Sequence, residues 1–241
     1  MKYALLADIH SNFEALTAVL EDIKQRGDVD EYWCLGDIVG YGPEPHRCIR
    51  ALREMRPVCV AGNHDWAATG RISTSDFNPE AAEAAHWTSR QLSQEDRAYL
   101  TGLPTTVERE NFTLAHGSPR YPIWEYITSV ETARVNFRYF KSRYCAVGHS
   151  HVPFFFRADD NVYSNHLTPE RPLLLDGRYI LNPGGVGQPR DGDPRASYAI
   201  YDSRDRIFTT HRVHYELEVT QIKMVRAGLP RRLAQRLKFG V

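Results

Sequence analysis

Three short apolar runs near the amino terminus, KYALLAD at 2–8, EYWCLGD at 31–37 and RPVCVAGNHD at 56–65, are separated by two segments of helical period. This alternation constrains the fold more than any other feature of the chain. The runs are of strand length and lack the polar alternation of a half-exposed sheet, so they read as strands buried on both faces. SNFEALTAVLEDIKQRG at 11–27 carries apolar residues at helical spacing, a capping-box pattern in Ser11 and Glu14, and Gly27 as a stop. PEPHRCIRALREM at 43–55 starts beside prolines, where a helix tolerates them. A β-α-β-α-β order of this kind builds parallel sheet with crossover helices.

Beyond residue 65 the pattern changes. Residues 66 to about 104 lack strand character, and NPEAAEAAHWTSRQL and SQEDRAYLTGLP read as helices, the second capped by Ser93. TTVERE and FTLAHG form a hairpin with Asn111 near its turn, and SVETARVNFRYF is helical. YCAVGHS, PFFF, YILNPG, SYAIYD and RIFTTHRVHYEL are strand-like runs joined by turns rich in Gly, Pro and Asp. The expectation is one α/β domain over residues 1–241, with a helical insertion at about 66–104 and a basic carboxyl-terminal segment at about 219–241.

The residues that end these strands are unusual. The first ends in Asp8-Ile9-His10, the second in Gly36-Asp37 and the third in Gly62-Asn63-His64-Asp65. The hairpin ends in His116-Gly117, and a later strand in Gly148-His149-Ser150-His151. Open α/β sheets bind ligands outside the carboxyl ends of their strands. Taken singly, Asp-x-His, Gly-Asp and His-Gly are commonly caps and turns. Taken together they would bury unpaired imidazoles and carboxylates at high cost unless something is bound. Nitrogen and oxygen donors without thiolates suit manganese, iron, cobalt, nickel or zinc. There are too many donors for one ion and enough for two, with Asp37 the natural bridge.

Composition narrows the classes. Thirty basic residues balance thirty acidic ones, which argues against a surface built as a whole for nucleic acid or anionic lipid. Cys34, Cys48, Cys59 and Cys145 have no CxxC spacing and read as reduced thiols. No apolar run spans a bilayer, and Asp8 and His10 interrupt the only candidate signal sequence, so a cytoplasmic protein without a membrane partner is expected.

The series D-x-H, G-D, G-N-H-D, H-G and G-H-x-H, in that order from Asp8 to His151, resembles the calcineurin-like metallophosphoesterase superfamily. The run NPGGVGQPRDGDPRASYAIYD at 182–202 is similar to the carboxyl-terminal signature of its compact bacterial phosphodiesterase branch, where a serine commonly follows Pro-Gly; here Gly185 takes that place. The resemblance implies a four-layer αββα sandwich, two mixed sheets face to face with helices outside. It implies a phosphoesterase with two divalent ions, manganese foremost, cleaving a phosphodiester or phosphomonoester by attack of a metal-bridging hydroxide. Carried over by residue, Asp8, His10 and His151 hold one ion, Asn63, His116 and His149 the other, and Asp37 bridges them. His64 resembles the family's non-ligand histidine and would assist the leaving group as imidazolium, with Asp65 either orienting its ring or capping the next segment.

Tyr41, Arg120, Tyr121 and Trp124 flank these motifs and could line a substrate cleft suited to a nucleotide, or simply pack loops. Arg190 and Arg195 could reach phosphate, or pair with Asp191 and Asp193. The segment from Gln221 onward carries Lys223, Arg226, Arg231, Arg232, Arg236 and Lys238 without an acid, and reads as a docked amphipathic helix with a solvated basic face; contact with nucleic acid or a partner is the other reading. The rival function is a non-catalytic scaffold on the same fold, which such proteins reach by losing the proton-donating histidine; His64 is present here. The sequence leaves the oligomeric state open.

Overall fold

The computed structural model describes residues 1–27 and 29–241. The first sheet has the order β3-β2-β1-β11-β12-β9, built from β3 (Val58–Cys59), β2 (Glu31–Cys34), β1 (Lys2–Leu6), β11 (Ala196–Asp202), β12 (Ile207–Val213) and β9 (Leu173–Leu174). The second has the order β4-β5-β6-β10-β7-β8, from β4 (Thr106–Arg109), β5 (Phe112–Ala115), β6 (Tyr144–Ala146), β10 (Arg178–Pro183), β7 (Pro153–Ala158) and β8 (Val162–His166). Both are mixed. Strands β1, β2 and β3 run parallel, while β1–β11 and β11–β12 are antiparallel. In the second sheet β5, β6 and β10 run parallel, flanked by antiparallel partners.

Period-two alternation explains the layers. Along β1, Tyr3 and Leu5 face the second sheet and join Trp33, Phe112, Tyr144, Tyr179, Leu181 and Phe208 in the core between the sheets. Ala4 and Leu6 face the other way, onto Leu16, Val19 and Ile23 of α1 (Phe13–Arg26) and Ile49 and Leu52 of α2 (Pro45–Met55). On the far side, Cys145, Phe154, Phe156 and Ile180 pack against Ala133 of α6 (Val130–Asn136) with Phe137 and Phe140. The result is the expected four-layer αββα sandwich.

Several local readings change. Helix α1 is capped by Asn12, whose side chain accepts from the Ala15 amide, and not by Ser11. Ser11 lies in the left-handed region at φ 53°, so the helix begins after it. The third strand is only two residues long; the chain turns at Gly62, and Asn63, His64 and Asp65 form the first turn of α3 (Asn63–Thr69). The 66–104 segment carries α4 (Pro79–Gln91) and α5 (Gln94–Thr101), the latter capped by Ser93 as expected. The basic segment is two helices, α7 (Leu217–Arg226) and α8 (Arg231–Arg236), broken at Gly228-Leu229-Pro230. Its apolar residues Leu229, Leu233 and Leu237 dock against Tyr41, Ala81 and Ala84. The edge strands β8 and β9 were not legible as strands.

Candidate metal centre

The loops after β1, β2, β5 and β6, together with the start of α3, meet at one end of the sandwich. They bring Asp8, His10, Asp37, Asn63, His116, His149 and His151 into a buried cluster. Backbone strain marks the place: Asp8, His10, Asp37, His149 and His151 have left-handed φ of 54°, 48°, 53°, 65° and 61°. Non-glycine residues hold such angles only where surrounding structure fixes them. A Cβ on Gly62 would lie 2.0 Å from Asp37 Oδ1, so only glycine lets α3 start this close to that carboxylate.

Hydrogen bonds fix which ring nitrogens face the centre. His10, His116 and His151 donate Nδ1–H to the carbonyls of Val39, Leu35 and Gln188 at 3.1, 2.8 and 2.6 Å. Their Nε2 atoms therefore point inward, toward one another and toward Asp37. His149 is reversed: its Nε2 donates to the Trp124 carbonyl at 3.3 Å and its Nδ1 faces inward. His10 Nε2 lies 3.3 Å from His151 Nε2, and His116 Nε2 lies 3.1 Å from both His149 Nδ1 and Asn63 Oδ1. Acceptors aimed at acceptors in a dry interior repel unless a proton or cation sits among them. The donor set thus fits divalent cations.

The electrostatics agree. Burial holds His10, His149 and His151 well below the usual histidine value, which favours the neutral rings that binding a cation would require. Burial also pushes Asp8 up to about 7. Asp37 goes the other way: burial would raise it, but His116, His64 and His10 together hold it well below the usual carboxylate range. Its Oδ2 sits 3.6 Å from His10 Nε2 and 3.4 Å from His116 Nε2, midway between the two halves of the cluster. Asp8 meets ring nitrogens of one half, with Oδ1 3.4 Å from His151 Nε2, while both its oxygens accept from the main-chain amide of His149. His116 is raised to about 9, because the attraction of Asp37 outweighs burial.

His64 stands apart. Its ring packs against Tyr41, Phe77 and His10 at centroid distances of 4.3, 4.8 and 4.9 Å, and its buried Nδ1 has no hydrogen-bond partner. It also lies within ligand reach of His10 and Asp37. Burial lowers it to about 4, against the pull of Asp37, which disfavours the imidazolium form. A cation nearby would push it the same way. Asp65 is not its partner: Oδ1 accepts from the Val39 amide at 3.1 Å and Oδ2 from the Gly62 amide at 2.9 Å. The carboxylate caps α3 and ties it to the loop after β2, which satisfies it locally.

The cluster opens into a cavity of about 100 Å³ lined by Asp37, Tyr41, Asn63, His64, Phe77, Trp124, Tyr126, His149, His151 and Arg190 among others. Of the four residues that could line a cleft or pack loops, Tyr41 and Trp124 line the cavity, Tyr121 does not, and Arg120 pairs with Glu125. Arg195 pairs with Asp193, whereas Arg190 lines the cavity. Sequence reasoning missed Phe77, from the helical insertion, and Tyr126, which stacks on His149 at 3.8 Å. It also missed Asn182, whose amide donates to the Gly148 carbonyl at 2.7 Å and so holds the loop of His149 and His151. Gly185 packs on His151, where an added Cβ would lie 3.1 Å from that residue's own Cβ.

A sequence profile of the calcineurin-like phosphoesterase superfamily domain matches residues 1–206, and the chain belongs to that family. It is similar to an uncharacterized protein of Methanocaldococcus jannaschii, 40% identical over 98% of this chain and 97% of the relative. A crystal structure of a metallophosphoesterase from Sphaerobacter thermophilus superposes with a TM-score of 0.91 at 48% identity, covering 100% of this chain and 99% of that one. The symmetrical bis(5′-nucleosyl)-tetraphosphatase of Salmonella typhimurium is 27% identical over 74% of this chain, and the match spans 62% of that enzyme.

Proposed function

We propose that the protein is a phosphoesterase with two divalent metal ions, manganese foremost. Asp8, His10 and His151 hold one ion, Asn63, His116 and His149 the other, and Asp37 reaches both. The observation that carries this reading is the set of inward-facing ring nitrogens gathered around Asp37 in a buried cluster. Bound divalent ions supply Lewis acidity toward a phosphoryl oxygen and a nucleophile from water at neutral pH.

The remaining work falls to the chain's own side chains. Carbonyls of Val39, Leu35, Gln188 and Trp124 lock the tautomers, so the ligand nitrogens need no reorientation when substrate arrives. His64 lines the cavity and offers a ring N–H as a hydrogen-bond donor to the charge that develops on the departing oxygen. Phe77, Trp124 and Tyr126 form aromatic walls that suit a nucleobase, in keeping with the nucleotide named for the tetraphosphatase relative. The full ligand set and His64 favour an enzyme over a scaffold. All four cysteines are free and buried, which fits a reducing cytoplasm.

The direct test is hydrolysis of bis-p-nitrophenyl phosphate, p-nitrophenyl phosphate and nucleotides by chelator-treated protein reloaded with Mn, Fe, Co, Ni or Zn. Metal-dependent turnover on at least one ester is expected. Absence of turnover on the whole panel with every metal would overturn the proposal.

A further inference from the structure

The family profile ends at 206, yet the segment beyond it packs beside the metal centre. Leu233, Ala234 and Leu237 seat α8 on α4 and on Tyr41, whose ring touches both His10 and His64. This brings Arg232 and Arg236 to a cleft of about 660 Å³ opposite Asn78, Pro79 and Glu80. Asn78 also lines the cavity over the metal cluster, so that residue is a wall common to the two spaces. Arg190 belongs to the inner cavity, lies 5.8 Å over the Tyr41 ring, and donates to Gln188 Oε1 at 2.9 Å. The backbone carbonyl of Gln188 in turn receives the His151 ring proton.

The other arginines of this region are neutralised. Arg195 pairs with Asp193, and Arg212 with Asp191. Arg190 and Arg232 have no acidic ion-pair partner among the described residues, while Arg236 is engaged by an oxygen of Val241. The acids on the cleft walls, Asp76 and Glu80, make no ion pair with them. Burial first, then the charge of Arg190, hold Arg236 below its usual value, against the pull of Tyr41 and Glu80 and with a smaller push from Arg232. Like charges gathered in a partly desolvated cleft are unfavourable unless an anion joins them. Planar guanidinium forks match phosphate oxygens in geometry as well as charge.

We infer that Arg190, Arg232 and Arg236 form a second anion subsite beside the metal centre, so that the site takes an ester carrying two or more linked phosphate groups rather than a single one. The inference rests on the proposed phosphoesterase reading: one phosphate sits at the metal cluster and the next extends past Tyr41 and Asn78 toward α8. The carboxyl-terminal segment is then a substrate-recognition element.

The test uses two probes that cannot be hydrolysed, methylphosphonate with one anionic group and methylenediphosphonate with two. Binding to the protein as purified is measured by calorimetry, with metal content recorded before and after. The diphosphonate should bind at least tenfold tighter than the monophosphonate. Arg236→Ala and Arg232→Ala should each reduce that preference roughly tenfold, the usual weight of a hydrogen bond to a charged group. Arg231→Ala removes the same charge from the same helix away from the cleft, and should keep the preference within about twofold. Thermal melting accompanies each variant; Arg232 is exposed and carries the test if Arg236→Ala melts early. Equal binding of the two probes, or an equal effect of Arg231→Ala, would overturn the inference. No turnover is needed, so a failure of the hydrolytic reading would show separately.

Discussion

Replacing His64 with alanine separates chemistry from metal binding. The ring is buried at the cavity wall, but its Nδ1 is unpartnered, so its loss strands no hydrogen-bond partner on that atom. The bond that matters to the cluster is made by its main chain: the residue 64 amide donates to Asp37 Oδ1 at 2.9 Å, and alanine keeps it. Ring contacts with Tyr41 and Phe77 are lost, while an unsatisfied buried nitrogen is removed. These act in opposite directions, so the stability change should stay within about 1–2 kcal/mol. Metal content should be unchanged. Turnover should fall roughly 10²–10³-fold on alkyl or nucleoside esters, whose strongly basic departing alkoxides depend on a donated hydrogen bond. It should fall far less on p-nitrophenyl esters, which leave as stable anions. Steady-state rates on matched alkyl and aryl esters, with elemental analysis of each preparation, make the measurement. An emptied metal site, or equal losses on both ester types, would refute the leaving-group role and make His64 a ligand, which its distance from His10 and Asp37 permits.

Asp37→Asn should weaken both metal sites and Asp8→Asn only one, because Asp37 Oδ2 stands between His10 and His116 while Asp8 faces His151; metal titration of the two variants distinguishes them. Trp124→Ala should change relative rates across a nucleotide and non-nucleotide panel without changing metal content, since its ring lines the cavity while only its carbonyl holds His149. Asp96→Ala should destabilise the fold by about 1 kcal/mol at neutral pH by removing the capping box of α5. Burial would raise the Asp96 carboxyl, but the Ser93 hydroxyl and His46 hold it below 3.8. A lowered folded value gives a contribution present above the unfolded value and lost as pH falls through the folded one. Urea midpoints of wild type and variant should therefore converge below pH 3.8 and separate above it.

The cluster was legible because metal ligands need fixed residue types at strand ends, and those types stand out against apolar strands. Asp8, His10, Asp37, Asn63, His116, His149 and His151 all meet where the motif order implied. What failed depended on partners distant in sequence or on backbone geometry. Asp65 sits beside His64 in the chain, but the first turn of α3 aims its carboxylate at the amides of Gly62 and Val39. Ser11 looked like a cap because sequence spacing does not reveal a positive φ. Arg190 and Arg195 were indistinguishable in PRDGDPR; only the fold pairs one with Asp193 and turns the other into the cavity. The two-residue β9 carries too little pattern to register, and its pairing with β12 comes from tertiary context.

The central claim is that this cluster holds two ions. Crystals of protein reloaded with manganese, measured at the manganese absorption edge, should give two anomalous peaks about 3.5–4 Å apart, the separation usual for two-metal hydrolases. One peak should be flanked by Asp8, His10 and His151, the other by Asn63, His116 and His149, with Asp37 touching both. A single peak under saturating manganese, or two peaks of which Asp37 touches only one, would contradict the account.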